Sequence, residues 1–390
     1  LRLDLQLFNE ACHRHQRRWF FASLAKPHGL ESGAKRGKAA FFKGDIDMLA
    51  IRYPKIKSTQ DLKTALQNAI RLEHATIPPY LTAWWTLSGS SAGATAAQDI
   101  LGDIWLDEMH HMLAVCNLLN AIGGTPVINQ PDFVPAYPKP LPMTVGSTDG
   151  AEFDVGLRRY SKALVTNTFM VIEEPETPIP IPVAPRIRAA EIDDHYRTIG
   201  EFYIAVGTAI QDGGETLFAH PGSPQVSHGQ VTPITDVASA LAAIDLIRHQ
   251  GEGTPQSPVV VGNTFAHYYR FESLSRGMAL TMDAAGKPHF DPASPIVVDD
   301  VADVIQMADN PGQVDLSQDP AALQKAQAFD QAYKQLLDQL HDTVNGQPAQ
   351  LGVAQGTMAS LTDLATDLLA HQISAGPQAG QFAGPRFMLP

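Results

Sequence analysis

Apolar residues recur at helical spacing along most of this chain, and the recurrence marks out its elements. Leu62, Leu66, Ala69, Ile70, Ile77, Leu81 and Trp84 form one stripe, with Ser58 or Thr59 placed to cap its start. Pro78-Pro79 falls inside that run and predicts a kink or a break. Residues 88–93, rich in Gly and Ser, read as a turn. A second helix follows to about Ile122, with Ile100, Ile104, Val115, Leu118 and Ile122 on its stripe and Gly123-Gly124 as a left-handed stop. Further helices are expected at roughly 152–174, 192–212, 236–250, 263–282, 320–344 and 353–373. The irregular, largely proline-rich segments 125–149, 175–190 and 215–234 read as ordered loops that form a substrate mouth. Short apolar pieces at 258–261 and 296–298 are too few for a core sheet. The pattern predicts an all-α domain over residues 46–390, with a helical-bundle core, extra helices and long proline-rich loops. Residues 1–45 show no sustained period and read as a poorly ordered N-terminal extension.

Two stripes are interrupted by polar residues. Stepping from Ile104 along the second helix gives Glu108, His111, Val115, Leu118 and Ile122, so Glu108 and His111 point where the apolar residues point. Glu73 does the same in the first helix, three residues beyond Ile70 and four before Ile77. A carboxylate in a core is costly unless it is paired or bound to a metal. Glu and His at i and i+3 share one helix face, and this is the recurrent unit of di-iron and di-manganese carboxylate bundles. Such bundles take a Glu from each of two helices and a Glu-x-x-His from each of the other two.

Glu73 with Glu108 and His111 matches half of that set. For the other half, Glu201 lies in a helix apolar nearly all round, and His267 shares a stripe with Phe271, Leu274 and Met278. Glu252 precedes His267 and reads with it as a Glu-x-x-His unit pulled apart by an insertion. Glu173, Glu174 and Glu272 stand in reserve. His110 points off the stripe, to the surface or to a supporting position, while Cys116, Trp84, Trp85, Tyr268 and Tyr269 read as packing. Carboxylate oxygens with imidazole suit iron, manganese or zinc.

Composition narrows the remaining classes. The chain has 390 residues, 44% hydrophobic and 18% charged, with a formal charge of −13. An acidic excess spread along the chain argues against a nucleic-acid partner. No run of about 18 apolar residues exists to span a membrane. The two cysteines, Cys12 and Cys116, make no disulfide framework, and a cytoplasmic location is expected. Phosphate-binding glycine loops and Cys-x-x-Cys zinc sites do not occur.

Several segments resemble a known family. The run 73–81 (EHATIPPYL), Asp107-Glu108-Met109-His110-His111-Met112, 117–124 (NLLNAIGG) and 169–174 (FMVIEE) carry the likeness. So do 198–203 (TIGEFY), 250–253 (QGEG), 267–272 (HYYRFE), the stretch 329–346 and Ala383-Gly384-Pro385. Together they are similar to the ferritin-like domain of iminophenyl-pyruvate dimer synthase type, found in violacein- and rebeccamycin-type biosynthesis proteins. The resemblance covers about residues 50–390. It implies a ferritin-like four-helix bundle, a bound metal and oxidative coupling of amino-acid-derived imines. The resulting expectation is a non-haem di-metal oxidoreductase holding one or two iron ions, with manganese or zinc as alternatives. Its partners would be dioxygen and a small organic substrate, and a homo-oligomer is compatible with it. The rival expectation is a ferroxidase-like, metal-buffering or structural protein without an organic substrate.

Overall fold

The computed structural model describes residues 55–144, 152–175, 198–253, 257–260 and 264–390. The expected extension at 1–45, the segment 176–190 and Cys12 lie outside the described residues. Helix α1 (Thr59–Thr86) begins where the sequence places it, with the Asp61 N–H donating to Ser58 Oγ at 3.1 Å. It then runs through Pro78-Pro79 as one helix, without the break that the sequence allowed. Pro79 lacks the N–H that would bond the Ala75 carbonyl. The Tyr137 hydroxyl supplies that missing donor, to Ala75 O at 2.7 Å. Helix α2 (Ala92–Ala121) ends at Gly123, whose φ of 72° is the left-handed stop.

Lys162–Leu164, the π-helical turn Val165–Phe169 and Met170–Ile172 follow one another as a single short helix, α3. Its start lies later than the expected 152, because Asp154–Val155 (β2) instead pairs antiparallel with Lys139–Pro140 (β1). Next come α4 (Ile199–Gly213), α5 (Val237–Gly251) and α6 (His267–Arg276). The expected helix over 263–282 is cut short at Gly277, where φ is 74°. Beyond it Met278–Met282 (β3) pairs antiparallel with Pro288–Pro295 (β4), a peripheral hairpin that periodicity alone did not separate from helix. Helices α7 (Pro320–Val344) and α8 (Gln350–Leu369) complete the chain.

The core is all-helical. Helix α1 lies along α2, α3 packs on α6, α4 on α5 and α7 on α8, with α4 also touching α1 and with α5 and α6 touching α2. Tyr80 of α1, Phe169 of α3 and Phe271 of α6 meet in one aromatic cluster, with ring centroids 4.7–5.3 Å apart. The C-terminal tail closes the far side: Phe387 stacks on Trp85 and packs edge-on against Phe329 and Tyr333. Arg386 pairs there with the buried Asp330. Cys116 is a buried core residue. No helix among the described residues is long and apolar enough to cross a membrane.

Candidate metal centre

Where α1, α2, α3 and α6 converge, the core contains charge. Glu73, Glu108, His111, Glu173 and His267 are all buried there, with Glu108 3% and His267 1% exposed. Their donor atoms form two groups, Glu73–Glu108–His111 and Glu108–Glu173–His267, and within each the atoms lie within 4.8 Å of one another. Glu108 belongs to both. His111 Nδ1 is 3.4 Å from Glu73 Oε2 and 3.8 Å from Glu108 Oε1. On the other side His267 Nδ1 is 2.9 Å from Glu108 Oε1 and 3.7 Å from Glu173 Oε2. The two imidazoles stack with centroids 5.7 Å apart.

Hydroxyl groups hold the carboxylates in place. Tyr203 donates to Glu73 Oε1 at 2.5 Å, Tyr80 donates to Glu173 Oε1 at 2.6 Å, and Thr76 donates to Glu108 Oε2 at 3.1 Å. Each outer carboxylate thus has one oxygen fixed by a phenol and the other turned toward a histidine. Burial and the neighbouring carboxylates push both tyrosine hydroxyls well above their ordinary pKa, so they act as donors.

The electrostatics of the cluster favour added positive charge. Burial, with Glu173 alongside, pushes the Glu108 carboxyl up to about 8. Burial works against charge on His111, but its contacts with Glu73 and Glu108 outweigh that and hold its pKa at about 9. His267 is likewise held well above its ordinary value, against burial, by Asp107, Glu108 and Glu173. Without a cation the cluster therefore retains protons that a metal would displace.

The donor set fits a metal. Among the described residues, the ion pairs of these three glutamates are with His111 and His267 alone. His267 Nδ1 is buried and has no hydrogen-bond partner despite its closeness to two carboxylates. A ring nitrogen that faces carboxylate oxygens in this way could serve with them as a metal ligand. Three carboxylates and two imidazoles suit iron or manganese, and zinc less specifically.

The remaining expected ligands lie differently. Glu252 lines the same cavity, and its Oε1 accepts from the Gly200 N–H at 2.7 Å, at the start of α4. Gly200 leaves room for it, since a Cβ there would stand 2.2 Å from Glu252 Oε2. Glu201 is half-buried in the first turn of α4, belongs to neither donor group, and donates its backbone N–H to Thr198 Oγ1. Glu173, held in reserve by the sequence, takes part instead. The π-helical turn before it breaks the 3.6-residue period that would have revealed its direction. His74, next to Glu73, serves the core: burial lowers its pKa to about 3 and Nε2 lies 2.7 Å from the Tyr333 hydroxyl.

A narrow pocket of about 20 Å3, partly open to solvent, adjoins the cluster and is lined by Glu73, Glu108, His111, Glu173, Tyr203 and Glu252. Arg248 of α5 also lines it, with Nε buried and without a hydrogen-bond partner. The described lining residues come from α1, α2, α4, α5 and the ends of α3 and α5, and none from 125–144 or 215–234, where the sequence led us to expect a mouth. At the pocket, the start of α4 and the end of α5 meet through the Gly200–Glu252 bond.

A family model described as Ferritin-like matches residues 66–276, more than half of the chain and all of the residues lining the pocket. The chain belongs to the ferritin-like family. A ferritin-like protein from Caulobacter vibrioides, known from a crystal structure, shares the fold with a TM-score of 0.53 and 21% identity. That similarity covers 80% of this chain and 98% of that one. Dichlorochromopyrrolate synthase of Lentzea aerocolonigenes is 26% identical over 394 aligned positions, covering 86% of this chain and 36% of the synthase. This ferritin-like chain thus spans about a third of that relative's length. The relative also agrees with the biosynthetic family that the sequence motifs resemble.

Proposed function

We propose that this chain is a non-haem ferritin-like oxidoreductase of secondary metabolism that acts in the cytoplasm on a small organic substrate through a two-metal centre. The observation that carries the proposal is the doubled donor group sharing Glu108. Glu73 and His111 would hold one ion, Glu173 and His267 the other, and Glu108 would span them. Glu252, on the cavity wall, is the further carboxylate within the site. When bound, iron in this donor set supplies electrons for reaction with dioxygen and a template for the substrate.

The chain's own residues set the conditions for that chemistry. Tyr203, Tyr80 and Thr76 orient the carboxylates, and burial keeps bulk water from the ligand atoms. An organic molecule would approach from the side of the adjoining pocket, where Arg248, its Nη1 3.4 Å from Asp245 Oδ1, presents a guanidinium. An anionic group on the substrate would meet that guanidinium while the rest of the molecule faced the carboxylate cluster. The relative named as a synthase and the imine-coupling family that the motifs resemble support an amino-acid-derived imine as substrate.

Anaerobic purification with metal analysis, and absorption spectra before and after oxygen, tests the reading. Iron is expected, with a spectrum that changes on exposure to oxygen. Redox-inert zinc in every preparation would contradict it.

A further inference from the structure

Both histidines of the cluster turn Nδ1 toward the carboxylates and Nε2 away from them, and both Nε2 atoms lead to the same place. His267 Nε2 lies 3.4 Å from Asp107 Oδ2. His111 Nε2 lies 2.9 Å from Gln250 Oε1. The Gln250 amide nitrogen donates to Gln230 Oε1 at 3.0 Å and lies 3.4 Å from Asp107 Oδ1. Gln230 in turn donates to Asp107 Oδ1 at 2.9 Å, and its nitrogen is 3.3 Å from His110 Nδ1. The branches close on one carboxylate.

The direction of every bond in this network follows from that carboxylate. Asp107 Oδ1 accepts from the Gln230 amide nitrogen, and that contact sets the orientation of the amide. Gln230 must therefore turn its NH2 to Asp107 and its carbonyl to Gln250. Gln250 must then turn its NH2 to Gln230 and its carbonyl to His111. A carbonyl facing His111 Nε2 requires a proton there, and a carboxylate facing His267 Nε2 requires one there too. In a neutral imidazole a proton on Nε2 leaves the Nδ1 lone pair free.

We infer that Asp107, acting directly on His267 and through Gln230 and Gln250 on His111, is the single positioning residue that sets both histidines in the metal-ready tautomer. The inference rests on the metal-centre reading above. The three polar side chains, Asp107, Gln250 and Gln230, come from α2, α5 and the irregular segment before α5, so the network also ties the metal half on α2 to the half on α6. Asparagine at 107 retains one acceptor and presents an NH2 to the other branch, so it satisfies at most one of the two histidines.

The test uses the full chain with Zn2+ as a diamagnetic probe. Affinity is read by competition with a chromophoric chelator, and the protonated ring nitrogen by long-range proton–nitrogen NMR of labelled histidine. The parent is expected to bind Zn2+ with both rings carrying their proton on Nε2. Asp107→Asn is expected to bind about 10- to 100-fold more weakly, with at least one ring changed. Gln250→Met and Gln230→Leu are expected to disturb His111 and leave His267 as in the parent. Gln230→Leu touches neither ring, and thermal melting of each metal-free variant reports its fold. Parental affinity and unchanged ring signals in folded Asp107→Asn and Gln250→Met would overturn the inference while leaving the metal centre standing. A parent that binds no Zn2+ would overturn the metal centre and the inference together.

Discussion

The Tyr203 hydroxyl donates to Glu73 Oε1 at 2.5 Å, and Tyr80 repeats the arrangement on Glu173 at 2.6 Å. Each phenol fixes an outer carboxylate while leaving its second oxygen toward a histidine. Hydrogen bonds to charged groups contribute about 1.5–3 kcal/mol. Tyr203→Phe and Tyr80→Phe are each expected to lower stability by about that amount while retaining metal capacity. Urea unfolding and metal analysis of the same samples check this. A variant as stable as the parent would show that the phenol does not hold its carboxylate.

The pH dependence follows from His111 and Glu108. His111, with an ordinary value of 6.5, keeps its proton to about 9 in the folded chain. The stability it adds is complete below about 6.5 and is lost as the pH rises toward about 9. Glu108 keeps its proton to about 8 where the unfolded chain releases it near 4.5, so it too costs stability as the pH rises through that range. Metal must displace these same protons, so its binding strengthens over the interval. The rise in melting temperature on adding Mn2+ is therefore expected to grow from pH 6.5 to 9. A rise that shrinks over that interval would contradict the protonation scheme.

Gly200→Ala tests the contact at the cavity wall. A Cβ would stand 2.2 Å from Glu252 Oε2 and 2.9 Å from its Cδ, and the flexible carboxylate must move. Loss of the Gly200–Glu252 bond with local overpacking is expected to cost about 1–3 kcal/mol. Metal stoichiometry should persist, because the paired donor groups do not include Glu252. Calorimetric melting with metal analysis reads both quantities, and loss of half the metal would make Glu252 an essential ligand.

Arg248→Gln addresses the substrate. An anionic substrate that loses a charged hydrogen bond worth about 1.5–3 kcal/mol should bind about tenfold or more weakly. The expected signature is a raised KM for an imine of a 2-oxo acid, with little change for its neutral ester. Equal effects on acid and ester would remove Arg248 from substrate recognition.

Much of this was legible before any coordinates. Ser58 and Gly123 mark helix ends because capping is local, and Glu73, Glu108, His111 and His267 stand out because each interrupts an apolar stripe. What stayed hidden depends on distant partners. Pro78-Pro79 reads as a break until the Tyr137 hydroxyl, 62 residues from Ala75, satisfies the freed carbonyl. Glu173 follows a π-helical turn that ends the period carrying directional information. Glu252 meets Gly200, 52 residues away, and no spacing along the chain reveals that bond. Asp107 was adjacent to Glu108 in plain view, but its role appears only once Gln230 and Gln250 come together.

The central claim is a two-metal centre that shares Glu108. Ferrous iron titrated anaerobically into the metal-free chain and into Glu108→Ala, with bound iron counted per chain, tests it most directly. The account predicts two ions per parent chain and loss of metal binding in Glu108→Ala, whose helical content and cooperative melting persist. A Glu108→Ala chain that still takes up the parent's full complement would contradict it.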